Sequence, residues 1–245
     1  MQVDVTPQRL AARRRLMRQG LLVLFEDNHL LGISKPAGLL SQGGPPGATS
    51  LTEVIYAYRR EAEGKPGRAY VGLVHRLDRN VSGAMVIAKT SKAARRLSEA
   101  FRERAPELKK TYLAWVDRVP DVETAELVHR LRREGGVTKM AADGDDDARV
   151  ARLTYRVVAR GRNTARLEIA LGTGLPHQIR CQLAFVGHPI LGDLKYGGSP
   201  AKRPALHAAR LEVPHPVGGD VVTIGAPIPM DLERIDERRR LAPPV

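Results

Sequence analysis

The chain has 245 residues, a formal net charge of +13 and one cysteine, and only 4% of its residues are aromatic. This length suits one large domain or two small ones with an aliphatic core, and the excess of Lys and Arg favours a polyanionic partner, nucleic acid ahead of an anionic membrane surface. The single cysteine excludes an intrachain disulfide and a cysteine-rich zinc site, and it fits a reducing cytoplasm.

The N-terminal part of the chain begins with a basic segment. Residues 1–20 are rich in arginine and predict a basic arm or a short helix, with a mitochondrial presequence as the weaker alternative. Residues 21–38 predict two strands around an Asp-Asn turn. Residues 50–64 predict a helix, because apolar side chains recur at helical spacing after Ser50, which can cap it.

The next stretch contains two apolar runs around a charged turn. Residues 71–90 predict a strand, a polar turn and a second strand. Residues 91–104 predict a capped helix, and residues 109–116 predict another strand. Residues 132–149 are polar and carry an acidic run, which predicts a solvated loop because the ligand spacing of a calcium loop is not met.

The C-terminal half returns to regular patterns. Residues 150–160 and 164–172 alternate polar and apolar side chains and predict a hairpin. Residues 176–187 predict a helix that starts at Pro176 and ends at Gly187. Two late strands and a charged terminal helix are predicted over residues 205–213, 221–229 and 231–240.

Strands outnumber helices, and most are joined by turns rather than by crossover helices. This pattern predicts an α+β fold with a mixed, largely antiparallel sheet flanked by helices. No Gly-rich loop links a strand to a helix as nucleotide-cofactor folds require. No apolar run approaches the roughly 18 residues that a membrane span needs.

Asp78 is a carboxylate between the two apolar runs of residues 71–90. Its burial would be costly unless it were paired, and Arg76 would share its face of a strand. Two interpretations stay open, a structural ion pair at a strand end or a carboxylate kept ionised by arginine as a nucleophile or base. The turn that follows favours an exposed position at the tip of a strand.

Two further side chains are candidates for chemistry. Tyr112 lies in a predicted strand, either as packing or as a ring that stacks on a base. Arg180 lies in the first turn of a predicted helix, where the helix dipole disfavours a cation unless a carboxylate, a phosphate or water is close. The histidines show no metal-ligand spacing, so we expect no metal.

Five motifs occur in the order in which the RluA family of pseudouridine synthases carries them. They are VLFEDNHLLGISKPAGLLS, HRLDRNVSG, KKTYLAWV, HQIRCQLAFVGHPILGDLKYGG and LHAARLEVPHP. The similarity extends from about residue 21 to about residue 230. The sequence therefore resembles this family over nearly its whole length.

The resemblance implies a pseudouridine synthase catalytic fold with an active-site cleft across the sheet. It implies a single catalytic domain over residues 21–245, behind the basic arm of residues 1–20 and without a separate N-terminal RNA-binding domain. The implied activity is the conversion of selected uridines to pseudouridine in structured RNA, either ribosomal or transfer RNA. The family uses no cofactor and no metal.

The resemblance also implies the roles of individual residues. Asp78 would be the essential aspartate, and Tyr112 would pack on the target base. Arg180 would pair with the aspartate and favour its ionised form. Arg76 would replace the extruded nucleotide in the RNA stack. Further RNA contacts are expected from Arg79, Lys110, His177 and Gln178.

Two positions depart from the family pattern. Val81 stands where the family usually has Thr, and Leu175-Pro176 stands where it usually has Arg-Thr, which removes a positive charge and a capping hydroxyl near the RNA. The alternatives are a non-catalytic RNA-binding protein on the same scaffold and another RNA-modifying enzyme, such as a methyltransferase. We expect a monomer with no membrane partner.

Overall fold

The computed structural model describes residues 6–64 and 69–244. Its helices are α1 (Pro7–Arg18), α2 (Leu51–Glu63), α3 (Ser91–Glu103), α4 (Gln178–Phe185) and α5 (Met230–Arg239). Its strands are β1 (Leu22–Glu26), β2 (Leu30–Lys35), β3 (Gly72–Leu73), β4 (Ser82–Ala88), β5 (Lys109–Asp117), β6 (Thr124–Glu134), β7 (Val137–Met140), β8 (Arg149–Arg160), β9 (Thr164–Leu171), β10 (Leu206–Pro214) and β11 (Val221–Gly225).

The fold is α+β, with largely antiparallel strands flanked by helices. The contacts of the chain fall into two compact units, Met1–Leu108 with Ala209–Pro227 and Lys109–Ala208 with Ile228–Val245. The single domain expected over residues 21–245 therefore stays a prediction. Within the described residues, no helix has the length and apolar character needed to cross a membrane.

The first unit is built around two fully buried strands, β2 and β4. Its strand order is β1-β2-β4-β10, with β3 added to β4 and β11 added to β10. Aliphatic side chains of this sheet, such as Leu30, Val86 and Ile224, pack with Leu97 of α3. The apolar runs of the sequence are continuous here because the strands have no solvent-facing side.

The second unit is an antiparallel sheet in the order β5-β9-β8-β6-β7. Strand β8 alternates buried and exposed residues along most of its length, as expected for a sheet with one covered face. Helix α4 covers one face, where Cys181 packs with Leu131 and Ala151. Trp115 of β5 is fully buried, and its indole Nε1 donates to Asp236 of α5 at 2.6 Å.

Most predicted elements are confirmed within about two residues, including the helix of residues 50–64 and its start. The backbone N–H of Ser50 donates to the Glu53 carboxylate at 2.6 Å, which is half of a capping box. Helix α3 begins at Ser91 as predicted, and its cap is Thr90, whose Oγ1 accepts the Ala93 N–H at 3.1 Å. Residues 1–5 of the predicted arm lie outside the described residues, while Pro7 opens α1.

Two predictions about strands are wrong. The stretch 132–149 is not one loop, because β6 continues into it and turns at Gly135-Gly136 into β7. Both glycines have positive φ, as a tight hairpin turn requires. The strand predicted at residue 71 is only the two-residue β3, so Arg76 and Asp78 lie outside any strand.

Candidate active site

Asp78 lies in the first unit, on a loop that connects β3 to β4. The loop closes with a turn in which the Val81 N–H donates to the Asp78 carbonyl at 3.1 Å. Asp78 itself is half-buried, whereas its neighbours Arg76 and Arg79 are exposed. The carboxylate is therefore carried by a loop ahead of a buried strand and is half-buried, and not exposed at the tip of a strand as predicted.

The backbone of this loop is held by a buried lysine. Lys35 is 0% exposed, and its Nζ donates to the carbonyls of Pro36 at 2.8 Å, Leu39 at 2.9 Å and Arg79 at 3.2 Å. An ammonium group has three N–H donors, so these carbonyls match its capacity. A buried charge is costly without such partners. The Lys35 ammonium group therefore holds the Asp78 loop, at Arg79, to the segment that follows β2.

Two more reciprocal contacts join the Asp78 loop to the segment after β2. Ser41 donates from Oγ to the Leu77 carbonyl at 2.7 Å and accepts the Leu77 N–H at 3.3 Å. The Gly38 N–H donates to the Arg79 carbonyl at 2.8 Å, while the Arg79 Nε donates to the Gly38 carbonyl at 3.0 Å. The residues before and after Asp78 are thus both fixed to one neighbouring segment.

His75 marks the point where the chain leaves β3. Its ring stacks on Phe101 with centroids 4.8 Å apart, and its Nε2 accepts the Val86 N–H of β4 at 2.9 Å. The imidazole takes the place of the backbone carbonyl that would have continued the pairing of β3 with β4. The chain can therefore turn away from the sheet without leaving a buried N–H unsatisfied.

Tyr112 and Arg180 lie in the second unit. Tyr112 is half-buried on β5 and pairs in register with Ile169, which pairs with Tyr155 of β8. Tyr155 shares its side of β8 with Ala151, which packs against Cys181 of α4. The sheet register therefore places Tyr112 on the face that α4 covers, the helix that also carries Arg180.

The guanidinium of Arg180 is fixed by a carboxylate and a ring. Its Nε and Nη2 donate to the two oxygens of Asp193 at 2.6 Å and 2.7 Å, and the side chains of the pair are 10% and 1% exposed. The Arg180 Cζ lies 5.1 Å from the ring centroid of Tyr196. A bidentate pair next to an aromatic face defines both the position and the plane of the guanidinium.

Tyr196 is itself held by backbone groups of Thr138. Its hydroxyl donates to the Thr138 carbonyl and accepts the Thr138 N–H, each at 3.1 Å, and lies 3.0 Å from Nδ1 of His177. Burial raises the pKa of the Tyr196 hydroxyl, which therefore stays protonated and able to donate. The ring beside Arg180 is thus anchored to β7.

The loop before α4 contains the Leu175-Pro176 departure and is supported by Gln178. The Gln178 Oε1 accepts from Thr173 Oγ1 at 2.6 Å and from the Leu175 N–H at 3.1 Å. Its Nε2 donates to the Arg152 carbonyl at 3.0 Å. Gln178 is 2% exposed, so these contacts give it an internal role and its predicted RNA contact stays a prediction.

The other residues predicted to bind RNA are less enclosed. Arg76 and Arg79 are exposed in the first unit. In the second unit, Lys110 and His177 are half-buried, and Lys110 Nζ approaches the Thr173 carbonyl at 3.5 Å. His177 has a left-handed backbone conformation with φ of 54° and lies at the N-cap of α4. The pairing of Asp78 with Arg180 would join the two units and stays a prediction.

Sequence reasoning missed Lys35 and Asp193. Lys35 reaches a carbonyl 44 positions away, and Asp193 binds a side chain 13 positions away, so neither contact leaves a local pattern. The available signal in the case of Lys35 was a single charged residue at the end of a strand with no other charge. Among the described residues, no group of three or more His, Cys, Asp or Glu side chains could hold a metal ion.

The comparisons with known proteins agree with the motifs. The profile of the family described as RNA pseudouridylate synthase matches residues 29–185. A ribosomal large subunit pseudouridine synthase D from Xanthomonas campestris is 37% identical over 238 residues, covering 88% of this chain and 68% of that relative. The corresponding protein of Zymomonas mobilis is 33% identical over 226 residues, covering 87% of this chain and 71% of that relative.

Solved structures show the same fold. A structure of human RNA pseudouridylate synthase domain containing 4 is similar with a TM-score of 0.77 at 25% identity, covering 97% of this chain and 98% of that one. Human RNA pseudouridylate synthase domain containing 1 is similar with a TM-score of 0.68 at 20% identity, covering 92% and 96%.

Proposed function

The chain belongs to the RNA pseudouridylate synthase family and forms pseudouridine in RNA, and we propose that Asp78 carries out this reaction without a cofactor. One observation carries the proposal. Asp78 is half-buried on a loop whose backbone is fixed by the buried Lys35 and by Ser41. A carboxylate that must reach a sugar or a base needs such a defined position.

The proposed reaction is an isomerisation in which nothing is gained or lost overall. The bond between N1 of uracil and C1′ of ribose breaks, the base turns, and a bond forms between C5 and C1′. The C5 hydrogen leaves as a proton, and N1 gains one. Attack on the sugar, addition to the ring and assisted elimination all need one ionised carboxylate, which is the role we assign to Asp78.

The other site residues would bring the uridine to Asp78. The base must leave the RNA stack, at a cost of a few kcal/mol. Stacking on Tyr112, worth about 1–3 kcal/mol for each base, and insertion of Arg76 into the vacated position would offset that cost. Arg180, held by Asp193, would pair with Asp78 and favour its ionised form.

Ribosomal RNA of the large subunit is the proposed substrate, because the relatives from Xanthomonas campestris and Zymomonas mobilis are named for it. We expect the protein to act as a monomer in the cytoplasm. The cytoplasm is expected from the RNA substrate and from a single, buried cysteine, and the monomer is the default expectation.

The decisive experiment replaces Asp78 with Asn. We expect D78N to bind RNA as the wild type does but to release no tritium from large-subunit ribosomal RNA transcribed with uridine labelled at C5, because the amide cannot act as the carboxylate. The matched control is D146N, in the exposed acidic loop. Tritium release by D78N at the rate of D146N would refute the assignment.

A non-catalytic RNA-binding protein on this scaffold is the alternative. It is motivated by the positive charge and by the changed loop at Leu175-Pro176. Support of that loop by Gln178 weakens the alternative, because the loop remains ordered without the usual capping hydroxyl. Release of tritium by the purified wild-type protein would exclude it.

A further inference from the structure

Helix α1 carries five arginines and no acidic residue, and the structure divides these arginines into two groups. Arg9 and Arg13 face the rest of the first unit, where Arg13 Nη2 lies 2.9 Å from Glu26. Arg15 lies 3.0 Å from Glu61 of α2. Arg14 and Arg18 are exposed, and no ion pair involves either of them among the described residues.

The inward face of α1 is attached by a buried charge cluster centred on Glu26. The Glu26 side chain is 1% exposed and accepts from Arg13, from Tyr58 at 2.7 Å and from Lys89 at 3.1 Å. Burial alone would raise the pKa of Glu26, but the hydrogen bonds from Arg13 and Tyr58 and the charge of Lys89 outweigh it, and the pKa is lowered. Burial also raises the pKa of Tyr58, to about 12.

The attachment continues along α1. Ala12 and Leu16 are buried on the inner face of the helix, and Gln8 Nε2 donates to the Glu61 carbonyl at 2.7 Å. Thr6 caps its first turn by accepting the Arg9 N–H. Contacts at the start, middle and end of its inner face hold the helix, so its outer face has a fixed geometry.

The outer face combines two cations with two apolar side chains. Leu10, Arg14, Met17 and Arg18 follow the i, i+4, i+7 and i+8 spacing of one helix face, and Leu10 and Met17 are 43% and 59% exposed. Arg14 and Arg18 are one turn apart, about 6 Å along the axis. Two guanidiniums on a rigid support at this spacing can contact successive phosphates of one strand.

We propose that this outer face of α1 binds the phosphate backbone of the substrate RNA, outside the site of the isomerisation. The inference rests on the proposed function, because it takes RNA as the substrate. The proposal separates the arginines of α1 into those that attach the helix to the rest of the first unit and those that bind RNA. The binding pair is Arg14 and Arg18, with Leu10 and Met17 against the ribose.

An anionic membrane surface would suit the same residue types but fits the geometry less well. A helix that lies on a membrane buries a wide apolar face. Here Ala12 and Leu16 are already used against the first unit, which leaves Leu10 and Met17 as the large apolar groups outside. Two cations and two separate apolar side chains favour a polyanion chain over a lipid surface.

The test measures RNA affinity against salt concentration for the full chain and for R14A/R18A. Each lost phosphate contact should lower the magnitude of the slope of log K against log salt by about 1. We expect R14K/R18K to keep the wild-type slope, because it keeps the charges. The probe is unmodified large-subunit ribosomal RNA transcribed in vitro.

The matched control is R234A/R238A, which removes two exposed arginines from α5. An unchanged slope for R14A/R18A overturns the proposal, and so does an equal decrease for R234A/R238A, since that would be a general effect of net charge. If R14A/R18A no longer sediments with phosphatidylglycerol vesicles but binds RNA as the wild type does, the proposal is overturned in favour of a membrane. Equal urea midpoints for all variants establish that folding is not affected.

Tritium release separates this proposal from the proposed function. If the wild-type protein releases no tritium, the assignment of catalysis fails, while the salt slopes still decide whether α1 binds RNA. If the wild-type protein releases tritium and R14A/R18A keeps both the slope and the affinity, only the role of α1 fails.

Discussion

Asp193 determines where the guanidinium of Arg180 points. It is 1% exposed and uses both carboxylate oxygens, so its own position depends on the surrounding structure and not on solvent. Tyr196 closes a second side of the guanidinium. A planar cation fixed in this way loses little side-chain conformational entropy when a substrate or a carboxylate approaches. Asp193 therefore acts as a positioning residue.

The residue-scale prediction concerns D193N. Removing one partner of a buried pair should lower the free energy of unfolding by about 3–5 kcal/mol, and the misplaced guanidinium should lower kcat more than it raises KM. The control is D231N, which breaks the Arg203 pair at a carboxylate that is 36% exposed and should cost less than about 1 kcal/mol.

Urea unfolding and tritium release measure both effects. Assays run at a temperature where D193N is fully folded separate the loss of rate from the loss of stability. A D193N protein with wild-type kcat would show that Asp193 supports the fold alone.

At the scale of elements, the loop that carries Asp78 has no regular structure and takes its shape from the segment that follows β2. Lys35, Gly38 and Ser41 bind its backbone at Leu77 and Arg79. These are contacts to main-chain atoms, so they constrain the path of the chain whatever side chains the loop carries. The path of the loop is therefore tied to the segment that follows β2.

The element-scale prediction is that K35M loosens this loop. The variant removes the ammonium donor from the carbonyls of Pro36, Leu39 and Arg79, of which the Arg79 carbonyl keeps the Gly38 N–H. This loss should lower the free energy of unfolding by more than about 2 kcal/mol. It should also lower the rate of tritium release under conditions where the protein is folded. K92M, at an exposed position on α3, should stay within about 0.5 kcal/mol of the wild type. Wild-type stability of K35M would contradict the role of Lys35.

At the scale of the whole molecule, 40 basic and 27 acidic side chains give the chain its net charge of +13. Some of the basic side chains form buried ion pairs inside the fold, with Glu26, Glu63 and Asp193. The cations that remain at the surface are those able to release counterions from RNA.

The whole-molecule prediction is a steep loss of RNA affinity with salt. A protein with six to ten phosphate contacts loses about 10³–10⁵ in affinity between 50 and 200 mM salt, and we expect this chain to lose at least about tenfold. Filter binding or fluorescence anisotropy over that range provides the measurement. A flat response would mean that phosphates contribute little to binding.

The fold was predictable wherever one physical signal dominated. The apolar runs of β2 and β4, the alternation of β8 and the cap of α2 each come from neighbouring residues. The hairpin of β6 and β7 was missed because charged side chains at its tip, such as Arg132 and Arg133, concealed the strand pattern. The Gly135-Gly136 pair was the signal that could have revealed it.

The candidate reactive side chains of the site were predictable, but the residues that hold them in position were not. Asp78, Tyr112 and Arg180 could be named because motifs carry them. The roles of Lys35 and Asp193 depend on atoms brought close by folding, which no periodicity encodes. The two-residue length of β3 likewise depends on His75 replacing a backbone acceptor, a tertiary contact that overrides the apolar run VGLV.

Trp115 is the only tryptophan of the chain, and it is fully buried and hydrogen-bonded to the terminal helix α5. Its indole fluorescence therefore reports on the second unit alone, and on the docking of α5 in particular. The unit that carries Asp78 is invisible at the excitation wavelength of tryptophan. The chain thus contains a natural optical probe that can follow the loss of one unit while far-ultraviolet circular dichroism follows both.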